Sequence, residues 1–367
     1  MRSRARRVPD EADRLVTTFD GRSMGSRLRL MALGPRAEAA WEEVVDEFAA
    51  ADLALSRFRD DAELVGLDRF AGTGIAIRVG RRLEQAVVAA DRARRVTSGR
   101  FDPRIVGELE SLGEHGADIG LGERSRAVDD DRRWLDEPIA RRVGRGYLSL
   151  DRPIDLGGIG KGLALRWAAR RSARLGVPGF LIDAGGDVVV CGNGPDHSPW
   201  RIGIEDPNAP NGSPLAVIEL DDLAIATSSI SHRRWEHEGR SVHHLIDPTT
   251  GLSAWNGLLA VSVAATDPAW AEVWSKALFL AGSMGIPDEA RRRGLAAWWV
   301  TDDGTLGMTP AARPATIWVR DEAARDQGVR PIAASSSSSV GIPSRAPAFV
   351  TASDAAATAR RAASSSG

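Results

Sequence analysis

A short glycine-rich segment at residues 154–162, with the sequence IDLGGIGKG, stands directly before a stretch with helical periodicity. Glycines let backbone N–H groups approach an anion closely, and a helix N-terminus contributes partial positive charge. Lys161 adds a full positive charge at the same point. The pattern predicts a turn that binds a phosphate or a diphosphate, although a glycine-rich turn between a strand and a helix is by itself more often structural.

Two common nucleotide-binding motifs do not describe this turn. The P-loop requires a Gly and a Ser or Thr at positions that here hold Asp155 and Gly162. The dinucleotide-binding G-x-G-x-x-G motif needs a surrounding parallel βαβ unit, and the sequence shows no such pattern. The turn is therefore predicted to bind its anion in another structural context.

Lysine is rare in this chain, since only Lys161 and Lys276 occur among 48 basic residues. A lysine that persists beside so much arginine is a candidate for chemistry that needs a compact ammonium rather than a planar guanidinium. The alternative is that both lysines persist by chance. Their positions in the fold have to decide between these interpretations.

Two further segments carry polar groups that could line the same site. Residues 182–187 (IDAGGD) place two glycines before Asp187, which predicts either a tight hairpin or a close approach to a ligand. His243 and His244 precede an apolar pair and an Asp-Pro turn. Because adjacent residues on a strand face opposite ways, only one of these histidines can face a cleft.

The order of these motifs resembles the FAD:protein FMN transferase family (ApbE type). The central resemblance is DLGGIGKG, then a helix, then the GGD turn, then WRIGIEDP at residues 200–207. Flanking matches follow the family's order: MGS at 24–26, SRF at 56–58 with EL at 63–64, FDP at 101–103 with Gly107, ATS at 226–228 and HLIDPTTG at 244–251. The resemblance spans about residues 19–319 and favours His244 as the histidine that faces the cleft.

The resemblance implies a transferase that cleaves the diphosphate of FAD and attaches FMN through a phosphoester to a Thr or Ser of an acceptor flavoprotein. The implied acceptor carries a segment like D-G-x-S/T-G-A-T. The implied catalytic residues are Lys161, which would hold phosphate, and His244, which Asp247 or another carboxylate would orient as general base. The implied FAD-binding residues are Met24, Asp102, Asp155, Gly157, Gly158, Gly160, Lys161, Gly186, Asp187, Thr227 and His244. For Asp102 alone, a turn after a helix is the competing interpretation.

The resemblance also implies a magnesium ion on the diphosphate, held by the carbonyl of Gly160 and by a carboxylate and a hydroxyl of a late helix. Here Glu272 supplies the carboxylate, but Lys276 stands at the position of the hydroxyl. An ammonium cannot ligate a cation, and four residues after Glu272 it is placed to form an ion pair. Either Lys276 points away and Glu272 binds magnesium with Asp155 or Asp187, or Lys276 takes over part of the metal's role, or the metal site is lost.

Three other functions remain open. The same site could hydrolyse FAD to FMN and AMP, as an FAD pyrophosphatase, or bind flavin without catalysis. A nucleotide-binding α+β protein outside the family, whose motifs are only structural turns, is disfavoured by the ordered matches.

Composition limits the class of protein. With 367 residues, 43% of them hydrophobic and 27% charged, the chain can bury a sizeable core. A net charge of −2 does not indicate nucleic acid or an anionic membrane as a partner. Cys191 is the only cysteine, which excludes an internal disulfide. Residues 1–18 lack the apolar run of a secretory signal and no segment reaches the length of a membrane span, so we expect a reducing, cytoplasmic location.

The elements that must position these residues are predicted from hydrophobic periodicity. Helices are expected at residues 37–56, 82–97, 162–175 and 270–282, and strands at 27–32, 180–183, 187–191, 201–205, 216–220, 223–227, 243–246, 260–264, 296–301 and 316–319. Strands joined by short turns favour an antiparallel sheet with packed helices, an α+β fold, and the resemblance implies an ApbE-like (T-fold-like) architecture. We expect one domain at residues 16–325, between a disordered N-terminus (1–15) and a disordered Ser/Ala-rich tail (331–367).

Overall fold

A computed structural model describes residues 16–119 and 137–320. The segments predicted to be disordered, 1–15 and 331–367, lie outside the described residues. In chain order the elements are β1 (Val16–Ser23), β2 (Ser26–Leu33), α1 (Ala37–Leu55), α2 (Glu63–Asp68), β3 (Ile77–Arg78), α3 (Arg81–Val96), α4 (Val106–Ser111), β4 (Ala140–Gly144), β5 (Tyr147–Leu150), α5 (Gly160–Arg174), β6 (Gly179–Ala184), β7 (Asp187–Gly192), β8 (Trp200–Ile204), β9 (Ala216–Leu220), β10 (Ala224–Ser229), β11 (Arg234–His237), β12 (Arg240–His243), β13 (Ile246–Asp247), β14 (Leu252–Ser253), β15 (Leu258–Ala265), α6 (Pro268–Arg293), β16 (Ala296–Thr301), β17 (Leu306–Met308) and β18 (Thr316–Val319).

An eight-stranded sheet forms the centre of the fold, in the order β1-β2-β6-β7-β10-β15-β16-β17. Every neighbouring pair in it is antiparallel. Side chains alternate between its two faces, and both faces carry buried apolar residues, so each side is covered. The described residues therefore confirm the predicted α+β class with a mainly antiparallel sheet.

Helices α1, α5 and α6 cover one face of this sheet. Val44 and Phe48 of α1 pack on Leu30 of β2 and Phe180 of β6, and α6 packs on β15 and β16. Full burial of such side chains stabilises the fold by about 1.5–3 kcal/mol each. The packing of these helices on the sheet therefore fixes the positions of the N-termini of α5 and α6 relative to the strands.

A second sheet, β18-β9-β8, covers the opposite face. Its apolar residues, such as Ile202 and Ile218, pack with Ile225 and Trp298 of the large sheet. A further core lies beside the helices, where α2, α3 and the small sheet β3-β5-β4 pack around the start of α5. The glycine-rich turn leads from this core into α5.

The structure departs from the predicted elements at two points that matter for the site. The strand predicted at residues 243–246 is interrupted, because β12 ends at His243 and β13 begins at Ile246. The helix predicted to end at Gly282 continues to Arg293 after a kink, where Gly282 has a φ of 73°. No helix among the described residues is long and apolar enough to cross a membrane.

Candidate active site

The glycine-rich turn is held by hydrogen bonds within itself and to two distant segments. Gly157 N donates to Asp155 Oδ1 over 2.6 Å, and Asp155 N donates to the Pro103 carbonyl over 2.7 Å. One residue earlier, Ile154 N donates to Asp68 Oδ1 over 3.2 Å. The bonds to Pro103 and to Asp68 at the end of α2 fix the turn, so it enters α5 in a defined geometry.

Lys161 lies in the first turn of α5 between two carboxylates. Its Nζ is 2.6 Å from Asp187 Oδ2 and 2.9 Å from Glu272 Oε1. Burial opposes the charged ammonium most strongly, but the two carboxylates together outweigh it and raise the pKa of Lys161 above its usual value. Lys161 is thus a permanent cation at the N-terminus of a helix.

Helices α5 and α6 touch at Gly162. A Cβ at this position would lie 2.5 Å from the Ala269 Cα, so only glycine permits the contact. The Gly162 N–H, one of the unpaired donors of the first helical turn, donates to Glu272 Oε2 over 2.8 Å. The contact brings Glu272 of α6 to the start of α5.

Lys276 lies one turn further along α6. Its Nζ is 3.9 Å from Glu272 Oε1. Its stem packs against Gly158, where a Cβ would come within 3.1 Å of Lys276 Cδ and Cε and within 2.9 Å of the Phe101 ring. Burial lowers the pKa of Lys276, and repulsion from Lys161 opposes the attraction of Glu272. Both lysines of the chain therefore lie at the glycine-rich turn.

The residues implied for magnesium do not fit that ion. Both oxygens of Glu272 accept hydrogen bonds, one from Lys161 Nζ and one from Gly162 N. Lys276 approaches Glu272 instead of pointing away, and Asp187 and Asp155 are engaged with Lys161 and Gly157. The described residues contain no group of three or more His, Cys, Asp or Glu placed to hold a metal ion. Lys276 therefore does not point away from Glu272, as the interpretation with Glu272 as a magnesium ligand assumed.

The two adjacent histidines occupy different environments. His243 is fully buried, its Nδ1 accepts from Leu245 N over 3.2 Å, and its ring contacts Trp255 edge-on. Burial lowers the pKa of His243 to about 4. His244 is half-buried, and burial together with Arg233 and Lys276 lowers its pKa well below 6.5. His244 is therefore neutral at pH 7 and near the lysines.

The expected partner of His244 is not Asp247. The Asp247 carboxylate accepts from Thr249 N over 2.8 Å and from the Thr249 hydroxyl over 2.7 Å, which forms the Asp-Pro turn. His244 Nδ1 instead lies 3.4 Å from the Arg233 carbonyl. A proton on Nδ1 pointing at this carbonyl leaves Nε2 as the basic nitrogen.

Asp102 is engaged by hydrogen bonds within its own turn. Its oxygens accept from Arg104 N over 3.0 Å, from Arg104 Nε over 2.9 Å and from Arg104 Nη2 over 2.7 Å. The Asp102 side chain is 0% exposed. The turn interpretation thus accounts for Asp102, which fixes the segment between Phe101 and Pro103 that borders the glycine-rich turn.

Gly186 and Thr227 line a pocket on the other face of the large sheet. The pocket has a volume of about 570 Å³, including space open to solvent, and lies between the large sheet and β8. Its wall is lined by Ile202, Glu205, Ser262 and Trp298 as well as Gly186 and Thr227. Thr227 also connects the two faces, because its N–H donates to Asp187 Oδ1 over 3.1 Å.

Met24 and Gly160 meet at the start of α5. Met24 and Gly25 form the two-residue turn between β1 and β2, with φ angles of 47° and 72°. The Met24 Cε lies 3.5 Å from where a Cβ of Gly160 would be. Both predicted residues therefore border the same end of the glycine-rich turn.

Two residues of the site were not predicted. Arg233 lies close enough to lower the pKa values of His244 and Lys276, and it pairs with Glu114. Asp183 accepts from Gly186 N over 2.8 Å, and burial raises the pKa of Asp183 to about 6. Asp183 could have been noticed as the first acid of the IDAGGD segment, whereas nothing in the sequence separates Arg233 from the many other arginines.

The geometry defines an α+β protein whose candidate site combines a helix N-terminus, two lysines and a neutral histidine. The sequence model of the ApbE family matches residues 24–299. The chain therefore belongs to the ApbE family, as the ordered motifs predicted.

Known proteins with a similar sequence or structure agree with this assignment. The FAD:protein FMN transferase of Klebsiella pneumoniae (strain 342) is 27% identical over 300 residues, which cover 79% of this chain and 85% of that protein. The crystal structure of the flavinyl transferase ApbE from Pseudomonas stutzeri, apo form, superposes with a TM-score of 0.70 at 26% identity, covering 84% of this chain and 98% of that one. An ApbE protein from Thermotoga maritima superposes with a TM-score of 0.72 at 22% identity, covering 82% and 99%, and supports the fold alone.

Proposed function

We propose that this protein is an FAD:protein FMN transferase. It cleaves the diphosphate of FAD and attaches FMN through a phosphoester to a Thr or Ser of an acceptor flavoprotein. The observation that carries the proposal is the convergence of Lys161 and Lys276 on the glycine-rich turn, in a chain that belongs to the ApbE family.

The arrangement of the cations suits a diphosphate. Lys161 and Lys276 face Asp187 and Glu272, and Arg233 pairs with Glu114. A helix N-terminus adds partial positive charge at Gly160. A bound diphosphate can accept hydrogen bonds from Lys276, and the glycines let it approach the backbone.

The proposed chemistry is a displacement at phosphorus. The hydroxyl oxygen of the acceptor forms a bond to the FMN phosphorus, and the bond from that phosphorus to the bridging oxygen breaks. The bridging oxygen leaves with its electron pair as part of AMP, and the hydroxyl proton passes to His244 Nε2. Positive side chains stabilise the charge that develops on the phosphoryl oxygens, which is the main catalytic term in such transfers.

His244 is suited to accept that proton because it is neutral at pH 7. Its lowered pKa makes His244 a weak base. Its main contribution is therefore its position, because it is a proton acceptor held beside the anion. The contact of its Nδ1 with the Arg233 carbonyl orients the ring.

The two ends of FAD require separate binding regions. The pocket lined by Gly186 and Thr227 adjoins Asp187, so a nucleoside half bound there leaves the diphosphate near Lys161. We propose that the acceptor presents a D-G-x-S/T-G-A-T-like segment to the opposite side of the turn. We further propose that the protein acts in the cytoplasm, since a single cysteine needs no oxidising compartment.

A mass measurement tests the proposal. The full chain is incubated with FAD and an acceptor protein that carries a D-G-x-S/T-G-A-T segment, with the Ser/Thr→Ala acceptor as the matched control. We expect one FMN added to the acceptor, none added to the control, and one AMP released per transfer. AMP release without modification of the acceptor would show an FAD pyrophosphatase instead, and bound FAD without either product would show a non-catalytic flavin-binding protein.

A further inference from the structure

The two carboxylates beside Lys161 each have both oxygens in contact with a positively charged or N–H group. Glu272 Oε1 is 2.9 Å from Lys161 Nζ, and Glu272 Oε2 is 2.8 Å from Gly162 N. Asp187 Oδ1 accepts from Thr227 N, and Asp187 Oδ2 is 2.6 Å from Lys161 Nζ. A divalent cation bound by oxygen would have to displace the Lys161 ammonium from both acids.

Lys276 supplies a cation in the same space. Its stem lies against Gly158, and its ammonium approaches Glu272 Oε1 at 3.9 Å, beyond hydrogen-bond distance. The Lys276 side chain is 20% exposed, and no hydrogen bond joins its Nζ to the other residues that the structure describes. Its three N–H donors are therefore available to an anion bound at the turn.

The surrounding charges also disfavour a metal. Lys161 and Lys276 face Asp187 and Glu272, and Arg233 pairs with Glu114. A further divalent cation beside Lys276 would be repelled by the ammonium at short distance in a partly buried site, where screening is weak. An incoming diphosphate, by contrast, is attracted by the same ammonium.

We propose that the Lys276 ammonium replaces the divalent cation in this chain, so that FAD cleavage is independent of added metal. Lys161 and Lys276 hold the diphosphate, and Lys276 offsets the charge that appears on the AMP phosphate as the bond from the FMN phosphorus to the bridging oxygen breaks. This inference rests on the proposed function for its activity readout only.

Chelation and substitution test the proposal by activity. FMN transfer and AMP release are measured for the full chain in excess EDTA and in excess Mg²⁺. We expect the wild-type rates to agree within about twofold, and Lys276→Met to lose about 100-fold in both conditions. Lys276→Arg, which keeps a cation, should retain more activity than Lys276→Met. Loss of wild-type activity in EDTA with recovery in Mg²⁺ would overturn the proposal.

A binding measurement tests it without activity. Mn²⁺ is titrated into chelator-treated protein, and free Mn²⁺ is followed by electron paramagnetic resonance, in wild type, in Lys276→Thr and in the helix control Arg291→Thr. Arg291 pairs with Asp288 on the exposed end of α6, and its side chain is 72% exposed. We expect no stoichiometric Mn²⁺ site in wild type or in Arg291→Thr.

One Mn²⁺ bound per wild-type chain and lost in Glu272→Gln would overturn the proposal, whatever the rates. If no condition gives AMP or transferred FMN, the proposed function fails, while the Mn²⁺ titration still decides the metal site. Circular dichroism melts confirm that each variant is folded.

Discussion

Two ion networks border the glycine-rich turn, and they differ in exposure. Asp102 and Arg104 form an ion pair whose side chains are 0% and 3% exposed. The network of Lys161, Asp187, Glu272 and Lys276 is open to solvent through its lysines, of which Lys161 is 25% exposed and Lys276 20%. A closed pair fixes the backbone, whereas a partly open network with a lysine that is only loosely paired is suited to bind an anion.

The largest expected effect is at the centre of the open network. In Lys161→Met, FAD turnover should fall about 10³-fold or more, because the diphosphate loses its closest cation. The buried acids Asp187 and Glu272 also lose their shared partner, so the free energy of unfolding should fall. AMP release and urea denaturation measure the two effects separately.

Lys161→Arg is the matched control for this substitution. It keeps the charge, so it should retain most of the stability while its longer, planar group places that charge less well. Unchanged turnover in folded Lys161→Met would remove Lys161 from the site and with it the contrast between the two networks.

Breaking the closed Asp102–Arg104 pair should change the free energy of unfolding more than the turnover of FAD. Asp102→Asn removes the negative charge that the buried Arg104 guanidinium contacts through Nε and Nη2, at a cost of about 3 kcal/mol in unfolding free energy. Urea denaturation checks this value, and the additional change Arg104→Met should recover part of it. If the folded Asp102→Asn variant instead loses its affinity for FAD with no loss of stability, Asp102 contacts the ligand and the two networks are not distinct.

His244 is affected by the charges of the open network. Burial, Arg233 and Lys276 lower its pKa and keep its imidazole neutral. His244→Gln should reduce FMN transfer about 100-fold, since the amide cannot accept the proton. In wild type the lowered pKa keeps His244 in the basic form down to a pH below 6.5, so the acid limb of kcat/KM should lie below that pH. The limb should be absent in His244→Gln, and an acid limb that persists there would assign it to another group.

The smallest expected effect concerns the carboxyl that anchors the turn. Burial raises the pKa of Asp68 well above its usual value. The stabilising contribution of its protonated form is therefore complete below the unfolded pKa and is lost as pH rises through the folded pKa. Asp68→Asn keeps an oxygen for Ile154 N without the buried charge, so it should stabilise the protein by about 1 kcal/mol at pH 7 and less at pH 4. Equal gains at both pH values, measured by urea denaturation, would show that Asp68 is not the titrating group.

Periodicity predicted the main elements because their apolar faces are long. The strands predicted at 216–220 and 296–301 match β9 and β16, and the helix predicted at 37–56 matches α1 to within one residue. The continuation of α6 past Gly282 was missed, since Gly282 and Pro287 are both signals that usually end a helix. The hairpin β11–β12 was missed because its strands are polar.

The sequence predicted most of the residues that belong to the candidate site but not which of them contact each other. The glycine-rich turn and the two lysines were identified from residue types, and the structure brings them together. The engagement of Glu272 by both Lys161 and Gly162 depends on the packing of α5 on α6 over 110 residues of sequence, which no local pattern encodes. For the same reason the sequence predicted Asp247 or another carboxylate as the partner of His244, whereas the contact of His244 in the structure is the Arg233 carbonyl.

The contact at Gly162 has a consequence for how the protein meets its substrate. Because α5 and α6 touch without an intervening side chain, the packing of these two helices sets the distance between the backbone positions of the two lysines. The electrostatic cost of placing two ammonium groups close together is met during folding and is not repeated in each turnover. The site is in this sense preorganised for the diphosphate that we propose it binds.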